Sequence, residues 1–144
     1  MNKEIGGMDA VIKILNEVDG ATQENILSWM EKEKSDVAEE IRQKLFVFED
    51  LVNVSPKDMR ILLKAIDYKT LKLALKMSSE ELLNSIYSNL SSRAGKILKE
   101  DIASMGPVRL AEVEEAHASI VKTAKTLENQ GKIILKKGTS EVWV

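Results

Sequence analysis

Helix start and stop signals recur at short intervals along this chain, and they leave room only for short helices. Ser55-Pro56 supplies an N-cap followed by a first-turn proline, and Ser78 with Glu81 forms a capping box. Gly106-Pro107 and Gly131 are typical helix stops. Apolar residues recur at helical spacing between these signals, without a convincing strand pattern. The sequence therefore predicts an all-α protein of about seven to eight helices.

The first part of the chain predicts three short amphipathic helices after a flexible segment that ends in Gly6-Gly7. Asp19-Gly20 ends the first helix, and Thr22 and Ser35 are the predicted N-caps of the second and third. Their span is close to one helical repeat of roughly 40 residues. Because no second copy of that repeat follows, the unit is expected to keep an unpaired apolar face.

The densest apolar cluster follows the third helix and contains both phenylalanines of the chain, in the run Leu45, Phe46, Val47 and Phe48. Two interpretations are open. The cluster is either a plug in a hydrophobic core or a hinge whose packing sets the angle between two helical units.

Composition excludes several classes of function. The chain has 144 residues, no cysteine, one histidine and a formal net charge of −2. These values argue against disulfides, thiolate chemistry and a metal site, and the mixed charges argue against a nucleic-acid partner. No apolar run approaches the ~20 residues of a membrane span, and no phosphate-binding or metalloprotease motif occurs. We expect an intracellular, soluble protein with no cofactor and no enzymatic activity.

The stretch from Ser91 to Arg109 predicts a helix with an apolar side and a charged side. Leu98 belongs to the apolar side, which also takes in Ala94, Ile102 and Met105. Arg93 and Glu100 fall almost together on another side because they are seven residues apart. Asp101 lies nearer the apolar edge. The helix thus presents one cation and two anions, with Arg109 just beyond the turn.

Plain structural explanations are available for each of these charges. A solvated helix face accounts for the charges on the helix. Lys76, at the predicted end of an earlier helix, is favoured by the helix dipole. Arg109 is able to pair with Glu112 within its own helix, or to reach back to Glu100 or Asp101.

The sequence resembles the C-terminal portion of the FliG family of flagellar motor switch proteins, nearly from end to end. The matching motifs are Gly6-Gly7 with Val11 to Asn16, Ile41 to Asp50, Leu73-Ala74-Leu75-Lys76, Ser92-Arg93-Ala94, and Gly106 to Glu114. The run Leu45 to Phe48 is similar to the family's Met-Phe-x-Phe hinge, with leucine in place of methionine. Glu100 stands where the family has an aspartate, which keeps the sign of the charge.

The resemblance implies a fold, a set of partners and a location. The fold is an armadillo-like helical superhelix, with a three-helix unit at 1–44, a hinge at 45–48 and a C-terminal torque-generating helical domain at 49–144. Lys76, Arg93, Glu100, Asp101 and Arg109 are implied to face the cytoplasmic loop of the stator protein MotA. Neighbouring FliG subunits and the switch protein FliM are further implied partners. The implied location is the flagellar basal body at the cytoplasmic face of the inner membrane, with only indirect membrane contact.

The family's upstream parts are missing, so we expect a fragment that begins just after them, with Gly6-Gly7 as the linker. Two alternatives stay open at this stage. One is a generic helical-repeat adaptor that binds a partner helix, and the other is a regulatory or enzymatic helical domain. We also predict an extended tail from Lys132 to Val144.

Overall fold

The computed structural model describes residues 2–136, and it consists of helices joined by short connections. Eight α-helices and one short 3-10 helix lie in this range: α1 (Asn2–Glu17), α2 (Gly20–Glu33), α3 (Ser35–Lys44), the 3-10 helix (Phe48–Asn53), α4 (Pro56–Ala65), α5 (Tyr68–Ala74), α6 (Glu80–Ser88), α7 (Ser92–Ser104) and α8 (Leu110–Asn129). No strand occurs among the described residues. The predicted all-α class is confirmed.

Side-chain caps start most of these helices. Ser55, Asp67 and Ser91 each accept a hydrogen bond from the backbone N–H three residues later, and for Ser55 this confirms the predicted N-cap. At three other helices the N-cap is not the predicted residue. Asp19 rather than Thr22 caps α2, and Ser79 rather than Ser78 caps α6. The α3 helix already includes Ser35 as its first residue.

Gly6 and Gly7 lie inside α1, so the prediction of a flexible, non-helical segment there is wrong. Each glycine costs about 1 kcal/mol relative to alanine in a helix interior, which weakens a helix without forbidding it. The good helix formers Lys3 and Glu4 precede the glycines and favour the continued turn.

Backbone contacts divide the chain into two compact units, Met1–Phe46 and Val47–Val144. In the first unit α3 packs against α1 and α2. Its core is built from the buried side chains Leu15, Leu27, Ile41 and Leu45, with partly buried residues of all three helices around them. Arg42 on α3 reaches Glu24 at 2.9 Å and Glu31 at 2.6 Å on α2. These hydrogen bonds, that to Glu24 above all, raise the pKa of Arg42.

In the second unit α8 is the central helix, because α4, α5 and the 3-10 helix all pack against it. α7 packs against α5 and α6. The α8 helix contributes five buried side chains, namely Val113, Ala116, Ile120, Ala124 and Leu127. No described helix combines the length and the apolar character that crossing a bilayer requires.

The segment after α8 is held by two hydrogen bonds from its backbone N–H groups to side-chain carboxylates. Gly131 ends the helix with a φ of +73°, a conformation that glycine adopts without strain. Ile133 is buried, the N–H of Ile134 donates to Asp58, and the N–H of Leu135 donates to Glu128. Residues 132–136 are non-helical, as predicted, and the rest of the predicted tail lies outside the described residues.

Candidate interaction site

The charged ridge is the set Lys76, Arg93, Glu100, Asp101 and Arg109, and the structure places all five in the second unit. Arg93 and Glu100 are exposed on α7, and positions seven apart share one side of a helix at about 100° per residue. Leu98 faces inward and is buried, as predicted. These two charges are therefore presented together to solvent.

The buried side of α7 is narrower than the sequence predicts. Ile102 and Met105 are half-buried, and Ala94 is exposed rather than turned to the core. Ala94 offers one methyl group in the first turn of the helix, so little apolar area is at stake there. Ile97, which lies between Arg93 and Asp101 along the helix, is also exposed.

Asp101 differs from its neighbour Glu100. It is half-buried, and its Oδ2 accepts a hydrogen bond from the hydroxyl of Tyr68 at the start of α5. That bond is the main reason why the pKa of Tyr68 is raised to about 12. The two adjacent acids are therefore not equivalent, because one is fastened to another helix and the other is exposed.

Lys76 and Arg109 lie next to helix ends. α5 ends at Ala74 rather than at Lys76, because a tighter bond from the Lys76 N–H to the Leu73 carbonyl closes the helix. Lys76 is half-buried in the turn that follows. Arg109 is exposed at the N-cap position of α8, where its carbonyl accepts from the N–H groups of Glu112 and Val113. Gly106, with a φ of +69°, makes the turn between α7 and Arg109.

Ion pairs do not neutralise the charged ridge within residues 2–136. The pairs found there join Arg42 to Glu24 and Glu31, and Lys44 to Glu40. All three belong to the first unit. The possible pairing of Arg109 with Glu112, Glu100 or Asp101 is not observed. Across the same residues, no cluster of histidine and carboxylate side chains is suited to hold a metal ion.

The four predicted hinge residues are divided between the two units. Leu45 belongs to the core of the first unit. Phe48, which begins the second unit's 3-10 helix, is buried and stacks on the ring of His117, with ring centroids 4.0 Å apart and planes inclined by 7°. Phe46 is buried, whereas Val47 is 44% exposed. The unit boundary falls between Phe46 and Val47.

Asp50 fixes the backbone where the second unit begins. Its carboxylate accepts from the Val47 N–H at 2.8 Å, and its own N–H donates to the Val47 carbonyl at 3.0 Å. The side chain is buried. Asp50 stands three residues after Val47, as the acid of a capping box does, but Val47 has no side-chain acceptor, so the sequence lacks the full capping-box pattern here.

His117 joins three elements of the second unit. Besides stacking on Phe48, its Nε2 lies 2.8 Å from the Ala74 carbonyl at the end of α5. A carbonyl only accepts, so Nε2 carries the proton in this contact. The sequence motifs assign no function to His117. Its spacing from Val113 and Ile120 puts His117 on the inward side of α8, and this spacing is the sequence pattern that indicates a packing role.

These features define a class of protein, an all-α module that presents charged groups on an exposed helix. The family model described as the FliG C-terminal domain matches residues 28–135, and the chain belongs to that family. The flagellar motor switch protein FliG of Thermotoga maritima is 38% identical over 138 residues, which cover 96% of this chain and 41% of that relative. The chain thus spans about two fifths of its relative's length.

Solved structures of FliG support the same assignment. A crystal structure of FliG residues 86–343 from H. pylori matches with a TM-score of 0.80 at 31% identity, covering 86% of this chain and 58% of that one. A second H. pylori structure, of FliG residues 116–343, matches with a TM-score of 0.62 at 31% identity. That match covers 86% of this chain and 55% of the H. pylori chain.

We predict that the two contacts of His117 contribute separately to stability. His117→Phe keeps a stacked ring and removes the donor to Ala74, whereas His117→Gln keeps an N–H donor and removes the ring. Each is expected to lower the free energy of unfolding by about 1 kcal/mol, since a ring pair and a neutral hydrogen bond each contribute about 0.5–1.5 kcal/mol. His117→Ala should lose roughly the sum, as measured by urea unfolding. An alanine variant as stable as the parent chain would contradict this role.

Proposed function

We propose that this chain is the C-terminal part of a flagellar rotor protein, and that the charged ridge engages the cytoplasmic loop of the stator protein MotA. The observation that carries the proposal is the exposure of Arg93 and Glu100 on one side of α7, with no ion-pair partner among residues 2–136. Membership of the FliG C-terminal domain family supports the rotor assignment. The function is mechanical, with no catalytic step and no cofactor.

A contact of this kind is weak and reversible. Exposed ion pairs contribute about 0.2–1 kcal/mol each, and salt screens them over about 8 Å at physiological ionic strength. A stepping contact needs this property, because each attachment must break before the next one forms. Arg109 and Lys76 widen the charged surface at the ends of α8 and α5. Asp101 contributes its charge from a fixed position.

Reversal of rotation is proposed to depend on the hinge residues Leu45, Phe46, Val47 and Phe48. Support comes from the anchoring of Leu45 and Phe48 in different units, with the exposed Val47 between them. Two discrete packings of the hinge would then bias the orientation of the charged ridge.

The first unit is proposed to build the rotor ring. Ile14 on α1 is 56% exposed and Trp29 on α2 is 63% exposed, so apolar surface remains outside the core of that unit. We propose that this apolar surface packs against the middle domain of a neighbouring FliG subunit, and that Gly6 and Gly7 serve as a linker. The assembly would lie in the basal body at the cytoplasmic face of the inner membrane. The switch protein FliM is a further proposed partner, and membrane contact is indirect.

Charge reversal on the ridge tests the stator contact. The double substitution Arg93→Glu with Glu100→Lys, in the whole protein, should abolish or strongly reduce swimming while filaments still assemble, because each attraction becomes a repulsion. Motility assays and electron microscopy of filaments measure both outcomes.

A matched control is available on α8, where Glu115 and Lys122 are also exposed, opposite in sign and seven residues apart. Glu115→Lys with Lys122→Glu should leave swimming unchanged. Normal swimming of the ridge variant, or equal loss in both variants, would refute the ridge as the stator contact.

The hinge proposal predicts a change in rotation direction. Phe46→Ala and Phe48→Ala should each shift the fraction of time that tethered cells rotate in one direction. A large-to-small substitution in a core costs about 3–5 kcal/mol for phenylalanine, so the variants are compared with Leu51→Ala, a buried residue of the same 3-10 helix. Leu51→Ala should lower stability without a directional bias. Lower stability with unaltered switching in the phenylalanine variants would favour a plain core plug.

A further inference from the structure

Tyr68 connects the start of α5 to the later part of α7. It is the first residue of α5, and its hydroxyl donates to Asp101 Oδ2 at 2.5 Å, across 33 residues of sequence. The ring is also near a cation, because Lys72 Nζ lies 5.2 Å from its centroid. Tyr68 thus stands between a positive charge on its own helix and a negative charge on α7.

Apart from the Tyr68–Asp101 hydrogen bond, α7 has few contacts that fix it to the neighbouring helices. Leu98 is the only described residue of this helix that is fully buried. On the α6 side, Lys99 Nζ lies 5.2 Å from the centroid of the Tyr87 ring. A helix with so little buried apolar surface depends more than usual on its polar contacts for its orientation.

The phenol of Tyr68 is a suitable donor for this purpose. The hydrogen bond to Asp101 raises the pKa of Tyr68 from 10.0 to about 12, with burial and the nearby charge as further causes. A tyrosine is protonated at neutral pH in any case, so the raised pKa only extends to higher pH the range in which the phenol donates. The stabilisation that the Tyr68–Asp101 hydrogen bond contributes is complete below pH 10, and it is lost as the pH rises towards 12 and the phenol ionises.

We propose that Tyr68 is a positioning residue, which fixes the Asp101 carboxylate and with it the rotation of α7 about its axis. Glu100, the adjacent acid, is then the anion left free for the partner, and it faces outward together with Arg93. This inference rests on the proposed function of the charged ridge. It assigns different tasks to two acids that look alike in the sequence.

The chain contains a matched control for the test. Its second tyrosine, Tyr87, also has a lysine 5.2 Å from its ring and contacts the same helix, through Lys99. Its hydroxyl takes no part in a hydrogen bond among the described residues. Tyr68→Phe and Tyr87→Phe therefore both remove a hydroxyl and keep the ring, and only the first removes a bond to the ridge.

The bond itself is tested by NMR at neutral pH on the chain labelled with ¹³C at tyrosine Cζ, with Tyr87→Phe assigning the two resonances. Asp101→Asn should shift the Tyr68 resonance and leave that of Tyr87 in place. An unchanged Tyr68 resonance, or equal shifts of both, would overturn the inference.

Rotation of tethered cells then tests the consequence. Tyr68→Phe in the whole protein should reduce rotation speed, and Asp101→Asn, which also removes a ridge charge, should reduce it at least as much. The double variant should show no loss beyond that of Asp101→Asn, while Tyr87→Phe keeps normal speed. If ridge reversal stops the motor but Tyr68→Phe has no effect, the positioning role is wrong and the proposed function stands. If ridge reversal itself is harmless, the proposed function fails instead.

Discussion

The packing of α5 against α8 is the contact on which the rest of the second unit depends. The α5 helix packs against α8, and Ala74 at the end of α5 is fully buried. His117 adds a hydrogen bond from α8 to the Ala74 carbonyl and a stacked contact with Phe48. Because α7 packs on α5, the charges of the ridge are held by a chain of contacts that begins in this pair of helices.

The second unit combines strong apolar interactions in its core with weak electrostatic interactions at its surface. The scaffold is held by buried apolar side chains, each of which contributes about 1.5–3 kcal/mol when fully buried. The ridge carries exposed charges that gain about 1 kcal/mol or less per pair. In the proposed motor contact this difference in interaction energy is useful, because the partner detaches from the ridge under a load that does not unfold the scaffold. Leu98 anchors α7 to the scaffold while Arg93 and Glu100 remain exposed.

The sequence predicted what local patterns encode. Ser55, Ser91 and Gly131 marked helix ends correctly, because capping and a positive φ depend on nearest neighbours along the chain. Gly6 and Gly7 have weak helix propensity and predict a break, but the helix continues through them. The contacts of His117 with Ala74 and of Tyr68 with Asp101 span 43 and 33 residues, and periodicity contains no information on such pairs. The roles of the ridge residues followed from a family resemblance, and remain proposals.

The most direct test of an electrostatic, transient contact is the affinity of the purified chain for the MotA cytoplasmic loop, measured over a range of salt concentrations. The account predicts weak binding that decreases further as salt rises, and that Arg93→Glu weakens several-fold at low salt and progressively less at high salt, because salt screens the charge. Binding that is independent of salt and unchanged by Arg93→Glu would contradict it.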